Sequence, residues 1–377
     1  MARRLFLFVI AIGGRWLVRQ PPPAQPQRIL VIKPDHLGDL LLATPALQQL
    51  RSRFPHAHIV ALIGPWSAAV LRGNPAVDTV LTLPFPGFAR EATTLPAPLR
   101  MIWPYLVLWK YATLLRTCHF DTALLFRDDH WWGAALALLA GIPRRIGHAT
   151  PNTAQLLSDA LPWHPDAHVS AQALAVVAAL AGDGRVAGSA PIRYPTRLHI
   201  SAEDHAWAQA WLAEHGVSGD VQLVVIHPGT GGPTKLWLPA RWVELAQLLA
   251  TRPNTRILIG GGPGEEPLVA EIAHQLAHPV LTLAGTASLG RYVALLSHAA
   301  LVIGVDSGPL HLAVSQGVPT IHLFGPSNPA RFGPWGDPAR HRVIRAGIEC
   351  SPCGVFATCP RNTNPPECMA RIMVEDL

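Results

Sequence analysis

Ten strand-like runs alternate with helical stretches along this chain, and the alternation leaves few folds open. Strands that are separated by helices pair in parallel, and a parallel sheet needs helices over both of its faces. The predicted strands are residues 28–33, 58–63, 78–83, 121–126 and 144–147 in the first half and residues 221–227, 256–260, 279–283, 300–305 and 319–324 in the second. The sequence therefore predicts an α/β protein with a parallel sheet in each half.

A length of 377 residues allows two or three domains of ordinary size. Two predicted helices between the halves are separated by a stretch rich in Gly, Pro and Ser around residues 182–197, where we place a hinge. The predicted organisation is an apolar and basic segment with a Pro-rich spacer over residues 1–27, a first α/β domain over 28–190, a second over 191–345 and a cysteine-containing tail over 346–377.

Residues 301–311 place an apolar strand, a short turn and a helix in succession. The turn is formed by Asp306, Ser307 and Gly308, and the helix is expected to begin near Pro309. The first backbone N–H groups of such a helix have no partners within it, and the helix dipole adds about half a positive charge. The pattern favours binding of a diphosphate, although many α/β proteins use the same turn only to close a loop.

A Gly-rich loop that contains Thr230 follows the strand at 221–227. Lys235 comes directly after it and is the only lysine beyond Lys110. An ammonium group in this place is a candidate point charge for phosphate oxygens, and the plainer alternative is a solvated loop lysine.

Glu265 and Glu266 follow another Gly-rich loop, after the strand at 256–260. Acidic residues at a helix start are favoured by the helix dipole in any protein. One of the two could also accept hydrogen bonds from ribose hydroxyls, as acidic residues do in nucleotide-binding βαβ units.

Asp39 follows Gly38 in the loop after the strand at 28–33. An acidic side chain in this loop projects from the carboxyl end of the sheet, where open α/β folds bind ligands, and could accept a proton. The helix is expected either to begin at Asp39 and bend at Pro45, or to begin at Pro45 with Thr44 as its N-cap. The structural alternative is that Asp39 only caps the helix.

In order and spacing these residues resemble glycosyltransferase family 9, the family of ADP-heptose:lipopolysaccharide heptosyltransferases. The matching motifs are Gly38-Asp39 with Pro45, His227-Pro228-Gly229, Lys235-x-Trp237, Gly261-Gly262 with Glu265, and Val305-Asp306-Ser307-Gly308-Pro309-x-His311-x-Ala313. The resemblance runs from about Arg28 to Trp335. It implies a GT-B architecture, in which two Rossmann-like domains face each other across a cleft, with the acceptor on the first domain and the nucleotide sugar on the second.

The resemblance also implies roles for individual residues. Asp39 would be the catalytic base of an inverting transfer, and Lys235 would stabilise the departing diphosphate. The donor-binding residues would be Thr230, Lys235, Glu265, Glu266, Asp306, Ser307, Gly308 and His311. Packing is the plainer alternative for His311. No metal or other cofactor is required by this scheme, since the chain has no Asp-x-Asp pair.

The expected donor is a nucleotide sugar, ADP-heptose, and the expected acceptor is a lipopolysaccharide-core or related glycolipid. His36, beside the proposed base, and Arg127 and His130, after the strand at 121–126, are the candidates for acceptor binding. The sequence Asp35-His36 departs from the family pattern. Two alternatives stay open on the same fold: a catalytically silent nucleotide-sugar-binding or scaffold protein, and a nucleotide-sugar epimerase or hydrolase.

A low charge content suggests a membrane surface as a further partner, because 14% of residues are charged against a typical ~25%. The first twenty residues are apolar but interrupted by Arg15, so they are expected to lie in the interface as a helix with Arg4, Arg15 and Arg19 on one side. Because nucleotide sugars are expected in the cytoplasm, the expected location is cytoplasmic, peripheral at the inner face of the membrane. A secretory signal and an extension without a role are the alternatives for these residues, and residues 99–116 could contact lipid or be buried.

The remaining composition adds less. The net charge of +6 comes from scattered arginines without a recognised nucleic-acid module, so no nucleic-acid partner is expected. The cysteines Cys350, Cys353, Cys359 and Cys368 cluster near the C-terminus. Only the first pair has zinc-type spacing, which leaves a metal site and packed or free thiols as alternatives.

Overall fold

The computed structural model describes residues 2–18, 21–88, 96–183 and 193–377, with the backbone alone at 2–6 and 97–98. Contacts divide the chain into unit 1, Met1–Tyr194, and unit 2, Pro195–Leu377. The hinge predicted at 182–197 falls largely outside the described residues and stays a prediction.

Unit 1 is built on a parallel sheet. Its strands are β1 (Arg28–Lys33), β2 (His58–Ile63), β3 (Thr79–Thr82), β4 (Thr122–Leu125), β5 (Arg144–His148) and β6 (Asp159–Leu161). Its helices are α1 (Ala2–Arg15), α2 (Leu37–Leu41), α3 (Thr44–Arg53), α4 (Ala97–Arg116), α5 (Trp131–Leu139) and α6 (Val169–Ala181), with 3-10 turns at Pro65–Leu71 and Ala154–Leu156. The strand order is β3-β2-β1-β4-β5-β6.

Unit 2 repeats this architecture. Its strands are β7 (Gln222–His227), β8 (Thr255–Gly261), β9 (Leu281–Ala284), β10 (Leu301–Val305), β11 (Thr320–Leu323) and β12 (His341–Ile344). Its helices are α7 (Ala202–Glu214), α8 (Pro239–Ala250), α9 (Glu266–His274), α10 (Leu289–Leu296), α11 (Gly308–Ser315), α12 (Pro329–Phe332) and α13 (Glu367–Ala370), with 3-10 turns at Pro233–Lys235 and Val374–Asp376. The strand order is β12-β11-β10-β7-β8-β9.

Both sheets have the order 3-2-1-4-5-6 that defines a Rossmann-like fold, and all their strand pairs are parallel. Apolar runs such as Ile29–Ile32 are buried on both faces because helices cover the sheet on each side. The prediction of two parallel α/β sheets is confirmed. In this order, ligands bind at the carboxyl ends of the two central strands, which are β1 and β4 in unit 1 and β7 and β10 in unit 2.

The helix after β1 differs from both expectations. α2 already begins at Leu37, so Asp39 lies in its first turn, and a second helix, α3, begins at Thr44. Thr44 is inside α3 and its hydroxyl donates to the carbonyl of Leu41 over 2.7 Å, whereas Ala43 is the N-cap. The prediction of Thr44 as an N-cap was wrong, because the turn between the helices keeps Ala43 in helical conformation.

The N-terminal segment forms a helix that packs against unit 1. Leu7 and Ala11 are buried in the core of this unit, and Gly14 lies so close to α5 that a Cβ there would be 2.7 Å from Leu138 Cγ. Arg19, predicted to share a face with Arg15, lies outside the described residues. Among the helices that the structure describes, none has both the length and the apolar character to cross a bilayer.

The C-terminal segment, predicted as a separate tail, packs into the core of unit 2. Met369 and Ile372 are fully buried there, and the indole N–H of Trp237 donates to the carbonyl of Ile372 over 3.0 Å. This packing brings the cysteine-containing residues close to the loop after β7.

Candidate active site

Three of the predicted donor residues meet where β7 and β10 end side by side. The Nζ of Lys235 lies 3.0 Å from Asp306 Oδ2 and 3.1 Å from the carbonyl oxygen of Asp306. The hydroxyl of Thr230 donates to the same carbonyl over 3.3 Å. The loop after β7 and the turn after β10 are therefore joined at the central strands of unit 2.

The start of α11 adds two polar atoms beside this cluster. Ser307 is the N-cap residue, and its buried Oγ has no hydrogen-bond partner among the described residues; the same is true of Nδ1 of His311, one turn further on. Burial lowers the pKa of His311 to about 4, so its ring is neutral near pH 7. Unpaired backbone N–H groups, a hydroxyl and a neutral imidazole suit the oxygens of a phosphate group.

Two residues that the sequence analysis did not select support the cluster. The hydroxyl of Ser327 donates to Asp306 Oδ2, and the ring of Phe356 lies 5.0 Å from Lys235 Nζ in a cation–π contact. Ser327 follows β11, so the rule that ligand residues follow parallel strands could have found it. Phe356 lies in the cysteine-containing segment, and nothing in the sequence connects it with Lys235.

The side chains of Glu265 and Glu266 extend towards different loops. Glu265 accepts the backbone N–H of Gly262 over 2.7 Å, and a Cβ on Gly229 would lie 2.1 Å from its carboxyl carbon. Its carboxylate therefore lies directly against the loop after β7. Glu266 extends toward the loop after β9, where a Cβ on Gly285 would lie 2.0 Å from its Oε1. Of the two, Glu265 is the residue beside the Lys235 loop.

In unit 1, Asp39 lies half-buried in the first turn of α2. The backbone N–H of Leu40 donates to the carbonyl of His36 over 2.9 Å, so the helix follows the loop without a break. Trp66 holds this loop, because its indole N–H lies 3.0 Å from the carbonyl of Asp35 and its ring centroid lies 5.6 Å from that of His36. Asp39 and His36 thus lie on one supported loop at the carboxyl end of β1.

A buried charge network lies beside this loop. Lys33 Nζ is 3.0 Å from Asp35 Oδ2, and Arg127 donates both to Asp35 Oδ1 and, over 2.6 Å, to Asp129 Oδ1. Burial raises the pKa of Asp35, but Lys33 and Arg127 outweigh it and lower this pKa to about 2. Because 33% of its side chain stays exposed, Arg127 can still meet an anionic ligand at the carboxyl end of β4.

His130 is in the core of unit 1, under the loop, and not on its surface. The ring lies 5.4 Å from Phe85 and 5.5 Å from Phe88, and neither ring nitrogen has a hydrogen-bond partner among the described residues. Burial, followed by the charge of Arg127, lowers the pKa of His130 to about 3. Direct acceptor binding by His130 was predicted, but its aromatic surroundings leave the ring 6% exposed and neutral near pH 7.

The four clustered cysteines are free thiols that line one small cavity with Thr234. The thiol of Cys359 forms a hydrogen bond with the hydroxyl of Thr363. This hydrogen bond is the main cause of the lowered pKa of the Cys359 thiol. Within residues 2–18, 21–88, 96–183 and 193–377, no three His, Cys, Asp or Glu side chains are arranged to hold a metal ion. A metal site and packed or free thiols both stay predictions for these cysteines.

Comparison with known proteins gives consistent matches. The model of glycosyltransferase family 9 (heptosyltransferase) matches residues 108–361. Lipopolysaccharide heptosyltransferase 2 of Salmonella typhimurium is 27% identical over 328 residues, which cover 84% of this chain and 88% of that protein. Lipooligosaccharide heptosyltransferase 2 of Haemophilus influenzae is 24% identical over 316 residues, 82% of this chain and 87% of that protein.

Solved structures agree on the fold. A glycosyl transferase of family 9 from Veillonella parvula matches with a TM-score of 0.70 at 24% identity, covering 85% of this chain and 86% of that one. The ADP-heptose lipopolysaccharide heptosyltransferase II of E. coli matches with a TM-score of 0.68 at 21% identity, covering 93% and 96%. The predicted GT-B class of two Rossmann-like domains is confirmed.

Proposed function

The chain belongs to glycosyltransferase family 9, the heptosyltransferases, and on this premise we propose that it transfers heptose from ADP-heptose to a lipopolysaccharide-core or related glycolipid. The transfer inverts the anomeric carbon and needs no divalent metal. One observation supports this assignment above the others: Thr230, Lys235 and Asp306 meet at the central strands of unit 2. Beside them lie Ser307 Oγ and His311 Nδ1, which have no hydrogen-bond partner among the residues that the structure describes. This arrangement suits a nucleoside diphosphate.

In the proposed reaction, the carboxylate of Asp39 takes the proton of the acceptor hydroxyl. The acceptor oxygen forms a bond to the anomeric carbon from the face opposite the diphosphate. The bond between that carbon and the diphosphate oxygen breaks, and its electron pair leaves with ADP. A positioned general base of this kind contributes typically about 10²- to 10⁴-fold to the rate.

On the donor side, Lys235 and the start of α11 would bind the diphosphate and stabilise the negative charge that grows on it. Asp306 would accept hydrogen bonds from hydroxyls of the donor sugar. Glu265 would bind the ribose, and we prefer it to Glu266 because its carboxylate lies against the loop after β7.

On the acceptor side, Arg127 and His36 would contact anionic or hydroxyl groups of the glycolipid. Arg127 keeps its orientation through Asp35 and Asp129, so its guanidinium is already placed before a ligand arrives. We leave His130 out of direct contact because its ring is enclosed by aromatic side chains.

The test is product analysis by mass spectrometry with a panel of nucleotide sugars and truncated core glycolipids. Asp39→Asn should lower turnover by about 10²-fold or more while ADP binding persists, and Lys235→Met should weaken ADP binding. Asp166→Asn, an exposed carboxylate of the same unit, is the matched control. Unchanged turnover of Asp39→Asn would reject its role as the base, and donor consumption without acceptor would favour a hydrolase or epimerase. Loss of turnover in EDTA would contradict a metal-independent reaction.

We further propose that the enzyme works in the cytoplasm, peripheral at an anionic membrane surface. The outer face of α1 exposes Phe8 and Ile12, and the turn after it exposes Trp16, to 83%, next to Arg15. The outer face of α4 likewise presents large apolar side chains, namely Leu99, Ile102, Trp103, Leu106, Trp109 and Leu114. Apolar side chains with neighbouring cations suit the boundary between headgroups and acyl chains.

Flotation with vesicles tests this location. The protein should float with vesicles that contain phosphatidylglycerol and float less with purely zwitterionic ones. Trp16→Ser and Trp109→Ser should each reduce flotation without changing turnover on a water-soluble truncated acceptor. Equal flotation of the variants and the wild type would contradict the assignment of these faces.

A further inference from the structure

Three polar side chains, Glu265, His227 and Tyr292, form a continuous series of contacts beneath the proposed ribose site. His227 ends β7, and its Nε2 lies 3.3 Å from Oε2 of Glu265. On the other side of the ring, His227 Nδ1 lies 2.9 Å from the hydroxyl of Tyr292, a residue of α10. His227 is 2% exposed and Tyr292 is 8% exposed, so the series reaches the surface only at Glu265.

The tyrosine hydroxyl sets the direction of the hydrogen bond in this series. Burial, with the charge of Glu265, raises the pKa of Tyr292, so its hydroxyl stays protonated and can donate to Nδ1 of His227. With Nδ1 of His227 accepting this hydrogen bond, the N–H of the ring lies on Nε2, which faces Oε2 of Glu265 at 3.3 Å. Each group thereby sets the orientation of the next one.

Two glycines make room for the series. A Cβ on Gly260, in β8, would lie 2.1 Å from the hydroxyl oxygen of Tyr292, and a Cβ on Gly229 would lie 2.1 Å from the carboxyl carbon of Glu265. No side chain larger than hydrogen fits at either position without displacing these polar groups. The backbone of β8 and of the loop after β7 is thus shaped around the tyrosine and the carboxylate.

We propose that His227 and Tyr292 are positioning residues that hold the Glu265 carboxylate in the orientation that accepts the ribose hydroxyls of the donor nucleotide. The inference rests on the proposed function of Glu265 and deepens it. A carboxylate with 23% of its side chain exposed would otherwise sample several rotamers. Fixing one of its oxygens through His227 and Gly262 removes that freedom before the nucleotide binds, which strengthens binding without adding a contact.

Calorimetric titration of the full-length protein with ADP and with 3′-deoxy-ADP tests the proposal. Tyr292→Phe should weaken ADP binding by about 3- to 10-fold, the loss of one hydrogen bond, and should weaken 3′-deoxy-ADP binding less. In steady-state assays the KM for the donor should rise while kcat and the KM for the acceptor stay unchanged. Tyr111→Phe, which removes a tyrosine hydroxyl from unit 1, should have none of these effects.

Two further variants separate positioning from a merely structural role. His227→Gln keeps an N–H donor near the carboxylate and should retain more ADP affinity than His227→Leu. In the Glu265→Gln background, Tyr292→Phe should cause little further loss, because the group that it orients has already changed. Equal weakening of ADP and 3′-deoxy-ADP by Tyr292→Phe, or additive losses in the double variant, would overturn the proposal.

The same experiment distinguishes this proposal from the one beneath it. If Glu265→Gln leaves ADP binding unchanged, the ribose assignment fails and the positioning role fails with it. If Glu265→Gln weakens ADP binding while Tyr292→Phe does not, the ribose assignment stands and the positioning role alone is rejected.

Discussion

The buried His130 should make the stability of unit 1 depend on pH, and this dependence can be measured. Its pKa is about 3 in the folded protein, against 6.5 for a histidine in water. Because the folded value is the lower one, the unfolded chain binds a proton in this range and the folded protein does not. The stabilisation is complete above pH 6.5 and is lost progressively as the pH falls towards the folded pKa.

The size of the effect follows from the two pKa values. Between pH 6.5 and pH 3, each pH unit of acidification lowers the free energy of unfolding by about 1.36 kcal/mol. A change from pH 8 to pH 5 should therefore lower the free energy of unfolding of unit 1 by about 2 kcal/mol through His130 alone. His130→Leu removes this contribution, because leucine binds no proton in either state and suits the apolar surroundings of Phe85 and Trp132.

Hydrogen exchange of the amides in α5 and β4, followed by mass spectrometry, measures the free energy of unfolding of unit 1 separately from that of unit 2. At pH 8, His130→Leu should change it by less than about 1.5 kcal/mol. Between pH 8 and pH 5 the free energy of unfolding of His130→Leu should fall by about 2 kcal/mol less than that of the wild type. The control variant His56→Leu, which changes an exposed histidine, should show the same pH dependence as the wild type. Parallel pH dependence of wild type and His130→Leu would refute the reasoning.

Further variants probe other contacts. Phe356→Leu removes the cation–π contact with Lys235 and should raise the donor KM by about 2- to 5-fold at unchanged kcat, as measured by steady-state kinetics. Gly14→Val should push α1 away from α5 and speed hydrogen exchange in α1, whereas Gly13→Val, where a Cβ meets nothing within 4 Å, should not. Asp35→Asn leaves the buried Lys33 without its counterion. It should lower the free energy of unfolding, measured by urea denaturation, by about 3–5 kcal/mol.

The central strands could be predicted from the sequence because both of their faces are buried, which requires unbroken apolar runs such as residues 29–32. The edge strands β6 and β12 were missed. β6 has only three residues, and β12 exposes Arg342 and Val343 in its middle. A short strand with one paired side and partial exposure has no apolar run, and its pairing depends on a neighbouring strand that the local sequence does not specify.

The same distinction applies to the candidate site. Residues in the loops after parallel strands were predictable, since these loops gather at one edge of the sheet. The contacts that hold them were not: Asp35 and Arg127 are 92 residues apart, and Thr234 and Val355 are 121 apart. Such pairs form only through the packing of whole elements. The burial of His130 is another result of this packing, because Phe85 and Trp132 approach it from separate parts of the chain.

The ion pair between Lys235 and Asp306 bears on how this lysine would act on a diphosphate in the proposed reaction. Lys235 is offset by Asp306. In the proposed binding mode, groups without net charge would therefore add to the attraction for the diphosphate: the N–H groups at the start of α11, the hydroxyl of Ser307 and the neutral ring of His311. These polar groups are already in place before the nucleotide sugar binds. The contacts with Asp306 use two of the three N–H donors of Lys235, which leaves one for a phosphate oxygen. That bond strengthens as the departing oxygen gains charge, so the lysine would favour the transition state over the bound donor.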